Sequence, residues 1–461
     1  METFFIILTS AIIFPITIIG CLKALYEGGV NAFERKPFSW FCKPTTVPAS
    51  GSFTAASSSG TYNCASAVSL DGSTTLKSTL FTFGKIFIMA ILFRIATYFV
   101  SFLFLRTLIY PEGTFGLDIL LRDYVRWDAN NYIRIATLGY DGYYENGMAT
   151  TLVFFPLYSW IMKLFQLFIP SIEACGLVVS TLCYGLGCSF LYGLVKEDFG
   201  KNIAKKSVIL ISVFPFAFFF GAIMPESTFF FTACACMYFA RKRNFIASGI
   251  FGALASLSRM QGLLLAAFFV AQWLIAYKPF ELIRTKNYKD LFSKILIKFS
   301  PVFIMPIGTL IYLYQNYWVT GDAFKFLEYQ EAVWGQHAQY FGLTVAENYS
   351  RLSDVLHGGP QSICIWLPQF VLFFLCCATL IYGLNKVSSG YILFLVFYLI
   401  MNYTPSFLLS GGRYMSVAFP MFIILGIFFE KHPRLWEGAI VVSSLLYALY
   451  MGIYLNYGQV F

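Results

Sequence analysis

KIFIMAILFRIATYFVSFLFLRTLIY, residues Lys85–Tyr110, is an apolar run whose only charges are Lys85, Arg94 and Arg106. It exceeds the ~20 residues that a helix needs to cross a bilayer. Ser207–Ala240 and Phe299–Trp318 read the same way. Over all 461 residues the chain is 58% hydrophobic, 20% aromatic and only 12% charged. Soluble domains are about a quarter charged, so water is not the main solvent here. The reading is an all-α polytopic membrane protein with about eleven or twelve membrane segments.

Residues 4–22 form an uncharged apolar segment ahead of Lys23, expected to be an uncleaved anchor. Residues 27–82 are rich in Ser, Thr and Gly and read as a cytoplasmic linker. The chain therefore divides into an N-terminal anchor plus linker (1–84) and a transmembrane catalytic unit (85–461). The net charge of +9 does not mark a nucleic-acid binder, because Lys and Arg gather in short loops. Lys196–Lys206, Arg241–Arg243, Lys278–Lys298 and Lys431–Arg434 fit the positive-inside pattern of cytoplasmic loops. Residues 111–150 and 319–360 are acidic long loops, expected on the other side. In the first, Leu117, Leu120, Leu121 and Tyr124 have helical spacing, which suggests a helix lying on the membrane surface.

Two places strain this topology. Leu152–Pro170 must be re-entrant or interfacial, and 228–240 and 245–257 must be short, broken helices. Such backbone is tolerated at membrane depth where it is buried in protein or lines a cavity. No internal repeat suggests an inverted-repeat transporter. Most of the eleven Cys lie in or beside apolar runs and read as small hydrophobes. His337, His357 and His432 are too scattered for a metal triad; no cofactor is expected, and the sequence leaves the need for a metal open. Asn348-Tyr349-Ser350 is a glycosylation triplet in the second acidic loop.

Arg126-Trp127-Asp128 lies in the first acidic loop. A carboxylate there suits the base that takes a proton from an attacking hydroxyl, and an indole beside it can stack on a sugar. Interfacial anchoring of Trp127 and a surface charge at Asp128 are the plain alternatives. Glu145 could orient an acceptor hydroxyl or only solvate the loop end. Glu226, in Met224-Pro225-Glu226-Ser227, is a lone acid between apolar runs, so it faces a cavity or an arginine partner. Arg259 and Arg413 are lone cations expected on the same face as Asp128. Their guanidinium forks match phosphate oxygens, unless they only snorkel to headgroups. Arg94 is expected to pair internally. No Gly-rich nucleotide loop follows a strand, so a sugar donor must be carried on a membrane lipid.

Arg126-Trp127-Asp128, Ile135-Ala136, Gly139-Tyr140, Glu145 and Phe154-Phe155-Pro156 together resemble the first-loop signature of the PIG-V family, the GPI mannosyltransferase 2 enzymes and their prokaryotic relatives. Pro225-Glu226-Ser227, the Arg-x-x-Gly at Arg259–Gly262 and Arg413-Tyr414 extend the resemblance, which spans roughly 85–460. It implies a GT-C type glycosyltransferase of the endoplasmic reticulum membrane with Asp128 catalytic. Arg126, Trp127, Glu145, Glu226, Arg259, Arg413 and Tyr414 would bind substrate. The implied donor is dolichyl phosphate mannose, and the implied acceptor is a GPI precursor glycolipid that receives its second, α-1,6-linked mannose. Membrane lipids and a small membrane subunit are the other partners, and nucleic acid is not one. Val319-Thr320-Gly321-Asp322 and Trp334-Gly335 look closer to the prokaryotic relatives, which leaves open a transferase acting on another lipid or surface glycan; the other readings are a multi-span transporter or flippase with Glu226, Arg259 and Arg413 as its pathway, and a non-catalytic subunit that stabilises a partner enzyme.

Overall fold

The structure, a computed structural model, describes residues 1–29, 72–112, 116, 118–355 and 361–460. Two long helices open it, α1 (Glu2–Glu27) and α2 (Gly72–Phe104), the second continued helically to Ile109. The first long loop carries α3 (Asp118–Asp123), α4 (Ala129–Leu138) and α5 (Leu157–Phe165). Next come α6 (Ile172–Phe199), α7 (Lys201–Ser212), α8 (Glu226–Arg241), α9 (Phe245–Ser258) and α10 (Leu265–Tyr277). The short helices α11 (Pro279–Arg284), α12 (Tyr288–Asp290) and α13 (Ile297–Phe299) lead into α14 (Ile307–Thr320). The second long loop holds α15 (Lys325–Trp334) and α16 (Phe341–Val355). Helices α17 (Leu367–Gly383), α18 (Ser389–Asn402), α19 (Gly411–Ser416), α20 (Phe419–Lys431) and α21 (Pro433–Leu455) complete the bundle. Among the described residues there are two isolated β-bridges and no strand. The protein is an all-α polytopic membrane protein.

Among the described residues seven helices are long and apolar enough to cross a bilayer. Helices α9 and α18 are apolar but shorter than such a span. The expected weak places are as read. Helix α5 has nine residues, too few to cross at ~1.5 Å per residue, while α8 and α9 have 16 and 14. The α6 segment is 72% buried and that of α2 only 22%, so α6 is central and α2 peripheral. Phe81, Leu92 and Phe99 on α2 and Val441 and Leu445 on α21 point outward, where lipid takes the place of water.

Two expectations need correcting. The run Ser207–Ala240 is not one span, because residues 213–225 leave the helix between α7 and α8 with only a tight helical turn at Ala217–Gly221. Pro215 and Pro225 lack the amide hydrogen that a continuous helix requires. The freed carbonyls are met by neighbouring side chains. Ser443 donates to Val213 (2.8 Å), Arg94 to Ala217 (3.2 Å), Tyr98 to Gly221 (2.8 Å) and Ser180 to Ala222 (2.7 Å). This is the internal pairing of Arg94, which also donates to the Tyr447 hydroxyl and lies over the Tyr184 ring. The triplet at Asn348 is the second correction: Asn348 is buried on α16, where no glycan can attach. Helix α1, the expected anchor, packs into the bundle. Phe5 packs on Tyr349 of α16 and Phe370 of α17, and Gly20 lies against Ile392 and Leu393 of α18. The Lys23 ammonium donates to the Leu384 and Val387 carbonyls at 2.7 and 2.6 Å, and Ser389 donates to the Glu27 carboxylate. The boundary expected after residue 84 falls inside α2, and most of the linker (30–71) lies outside the described residues.

The basic clusters collect at one end of the bundle. There Lys206 pairs with Glu430 (2.7 Å), Lys242 with Glu197 (2.8 Å), and Arg241 with Asp198, which also accepts from the Tyr391 hydroxyl. The eight buried cysteines are free thiols packed as small hydrophobes. The opposite end holds both long loops, the first residue of α8 and helix α19.

Candidate active site

At that opposite end four charges from four distant parts of the chain meet. Arg413 forms ion pairs with two acids: its Nη2 lies 2.8 Å from Asp128 Oδ2, and its Nε lies 3.1 Å from Glu226 Oε1. Arg259 Nη1 donates to the same Glu226 oxygen at 2.8 Å. The Tyr414 ring lies beside both guanidinium groups, 4.6 Å from that of Arg259 and 5.2 Å from that of Arg413. Phe219 flanks Arg413 on another side, and Met224 Sδ accepts from its Nη1.

Local sequence explains each placement. Asp128 immediately precedes α4, and Trp127 before it sits at φ +50°, left-handed backbone that costs a side-chain-bearing residue roughly 1–3 kcal/mol. The Ala129 amide closes this turn on the Arg126 carbonyl at 2.9 Å. The turn sends the Arg126 and Asp128 side chains to different clusters. Glu226 is the first residue of α8, where the positive end of the helix dipole favours an acid. Arg259 ends α9 in extended backbone, and the Gly262 amide donates back to its carbonyl at 2.9 Å. A Cβ at residue 262 would stand 2.2 Å from the Ser256 nitrogen, so the Arg-x-x-Gly spacing is a packing requirement. A Cβ at Gly412 would overlap the Phe216 ring at 2.5 Å, so glycine lets α19 press against the broken 213–225 segment.

Burial divides the four charges. The Glu226 side chain is fully buried and those of Arg413 and Arg259 are 6% and 9% exposed, whereas Asp128 keeps 24%. Asp128 is therefore the edge of the network that an incoming molecule meets first. Two acids and two arginines make the network neutral, which offsets the cost of burying each charge. The second carboxylate oxygen of Glu226, Oε2, is buried without a hydrogen-bond partner.

Of the other residues singled out from sequence, Trp127 is half-buried beside Asp128. Arg126 belongs to a separate buried cluster. It donates to Asp123 at 2.9 Å and to the Leu455 carbonyl at 2.8 Å, and its guanidinium lies over the Tyr457 ring. Glu145 is exposed, accepts a 3.4 Å hydrogen bond from the Tyr143 hydroxyl, and is not brought to the network. Tyr132 was not singled out. It is buried one turn into α4, and burial, then the nearby Asp128 and Glu226 carboxylates, pushes its phenol well above the usual range. Its position four residues after Asp128 on a helix was the available signal. Among the described residues no group of three or more His, Cys, Asp or Glu side chains is placed to hold a metal ion.

Residues 155–305 match the family described as dolichyl-phosphate-mannose-protein mannosyltransferase. That is about a third of the chain, and it includes Glu226 and Arg259 but not Asp128 or Arg413. The matching family is a different one from the PIG-V family that the first loop resembles. No curated protein matches the chain. Among solved structures, ArnT from Cupriavidus metallidurans bound to undecaprenyl phosphate shares 14% identity at a TM-score of 0.47, over 78% of this chain and 63% of ArnT. The Archaeoglobus fulgidus oligosaccharyltransferase AglB, in complex with an inhibitory peptide and a dolichol-phosphate, shares 13% identity at a TM-score of 0.38, over 81% of this chain and 55% of AglB. The apo form of the Archaeoglobus fulgidus enzyme gives 13% and 0.41, over 82% and 56%. The chain thus spans less than two thirds of these proteins. The partial family match, on an all-helical polytopic architecture, supports a membrane glycosyltransferase of the GT-C kind.

Proposed function

We propose that the protein transfers a sugar from a polyprenyl phosphate carrier, and more finely that it moves mannose from dolichyl phosphate mannose onto a GPI precursor as the second, α-1,6-linked residue. The single observation that carries the reading is the bridge of Arg413 between Asp128 and Glu226: a proton-accepting group and a phosphate-binding cation lie side by side at one membrane face. Asp128 takes the acceptor hydroxyl proton while that oxygen bonds to C1 of the sugar. The bond from C1 to the phosphate oxygen breaks, and its electron pair leaves with the phosphate. Arg413 and Arg259 face that departing charge. Glu226, fully buried, holds both arginines, while Trp127 and Tyr414 offer ring surfaces beside the acid and the cations. The basic end of the bundle belongs in the cytosol by the positive-inside rule, which leaves the site on the non-cytoplasmic side; in the reading proposed here that side is the lumen of the endoplasmic reticulum.

The test is complementation of cells lacking the second GPI mannose, using wild type and Asp128→Asn at matched expression. Membranes from the same cells are supplied with labelled dolichyl phosphate mannose, with and without GPI precursor. Rescue by wild type, and loss of transfer in the variant, is the expected result. Transfer unaffected by Asp128→Asn overturns the assignment. Label that enters another glycolipid regardless of GPI precursor overturns the acceptor alone.

A further inference from the structure

We propose that Arg413 is a shared seat, occupied by Asp128 when no donor is bound and by the carrier phosphate when one is, so that binding of the donor releases the base. The inference rests on the reading above and concerns the order of events at that site. Three observations carry it. The two carboxylates hold Arg413 by different atoms, Asp128 at Nη2 and Glu226 at Nε. Tyr414 and Phe219 flank the guanidinium, so it stays in place if one anion leaves. Of the two anions, Glu226 is sealed in while Asp128 is partly open to solvent.

A phosphate entering a neutral, buried network adds a negative charge that must be matched. No further cation is among the groups described at the network, and Glu226 has no path to water. The anion that can leave is Asp128, which exchanges one negative charge for another at the same guanidinium edge. A phosphodiester oxygen at Nη2 makes the charge-assisted bond that Asp128 made, and a guanidinium presents its donors in a fork that fits phosphate. Asp128 is then free to meet the acceptor hydroxyl only in a site that already holds donor. Arg413 thus both receives the leaving group and restrains the base, and Glu226 is a positioning residue that acts through Arg413.

The exchange predicts opposite signs for the two acids, which a general loss of structure would not give. The experiment measures binding of a short-chain polyprenyl phosphate, and separately of its mannosyl ester, to the full-length detergent-purified protein. Asp128→Asn removes the competing anion, so affinity should rise about five- to tenfold, the inverse of the fraction of unoccupied seats in the wild type. Glu226→Gln loosens the seat and should lower affinity by about tenfold or more. Asp128→Ser is the second variant, used where Asn disturbs the fold, and monodispersity and melting temperature are recorded for each. Unchanged or weaker binding in folded Asp128→Asn and Asp128→Ser overturns the shared seat, whatever the transfer activity. If the wild type binds neither lipid, the polyprenyl phosphate reading falls first and takes the shared seat with it.

Discussion

Two acid–arginine clusters grow from the same loop, and Trp127 separates them. Asp123 and Arg126 form one: both are almost fully buried, and the guanidinium is also committed to the end of α21 through the Leu455 carbonyl. Asp128 begins the other, where one carboxylate is partly exposed and one arginine serves two acids. The residue types are the same and the consequences differ. A pair closed off from solvent can only hold the chain together. A pair with one open edge can exchange a partner, and exchange is what chemistry requires. On the function proposed above, exposure of a single carboxylate separates a brace from a reactive centre.

Substitutions can break that contrast, and the largest effect belongs to the open edge. Asp128→Asn should lower sugar transfer in isolated membranes by roughly 10²–10⁴-fold, because a positioned base is lost. Its melting temperature should fall only modestly, since the lost partner is itself partly exposed and Arg413 keeps its ion pair with Glu226. Arg126→Ala should do the reverse. It leaves the buried Asp123 carboxylate with only the more exposed Arg122 and the Tyr110 hydroxyl, a loss of about 1.5–3 kcal/mol that thermal unfolding of the purified protein will register. A melting temperature equal to wild type would show that the Asp123 cluster is no brace. Glu226→Gln sharpens the comparison, because it touches Arg259 and Arg413 without touching substrate. Transfer should fall about 10- to 100-fold, the worth of a hydrogen bond to a charged group. Smallest is Glu145→Gln: with an exposed side chain away from the network, initial rates should stay within about twofold of wild type.

The four charges of the network were legible in the sequence because a charge in a low-dielectric setting is costly and therefore conspicuous. Their meeting point was legible too, since the alternation of basic and acidic loops assigns Asp128, Glu226, Arg259 and Arg413 to one face. The division of labour within Arg126-Trp127-Asp128 was not. Neighbours in sequence look like neighbours in function, and only the left-handed backbone at Trp127 reveals that they point apart. Tyr132 stayed hidden among thirty tyrosines, because an aromatic residue in an apolar setting carries no mark of what it faces. The break at 213–225 was hidden for a related reason. Hydropathy reports whether a segment is apolar, and is silent about whether its carbonyls find side-chain donors such as Arg94 and Tyr98.

The clamp at the far end of α1 has a practical consequence. Lys23 and Glu27 are fastened to the turn that joins α17 to α18, so this helix is retained by noncovalent links as well as by the peptide chain. A polypeptide cleaved anywhere between residues 30 and 71 should still migrate as a single particle in mild detergent, with both fragments co-eluting. Expressing them from separate genes should restore whatever the intact polypeptide does.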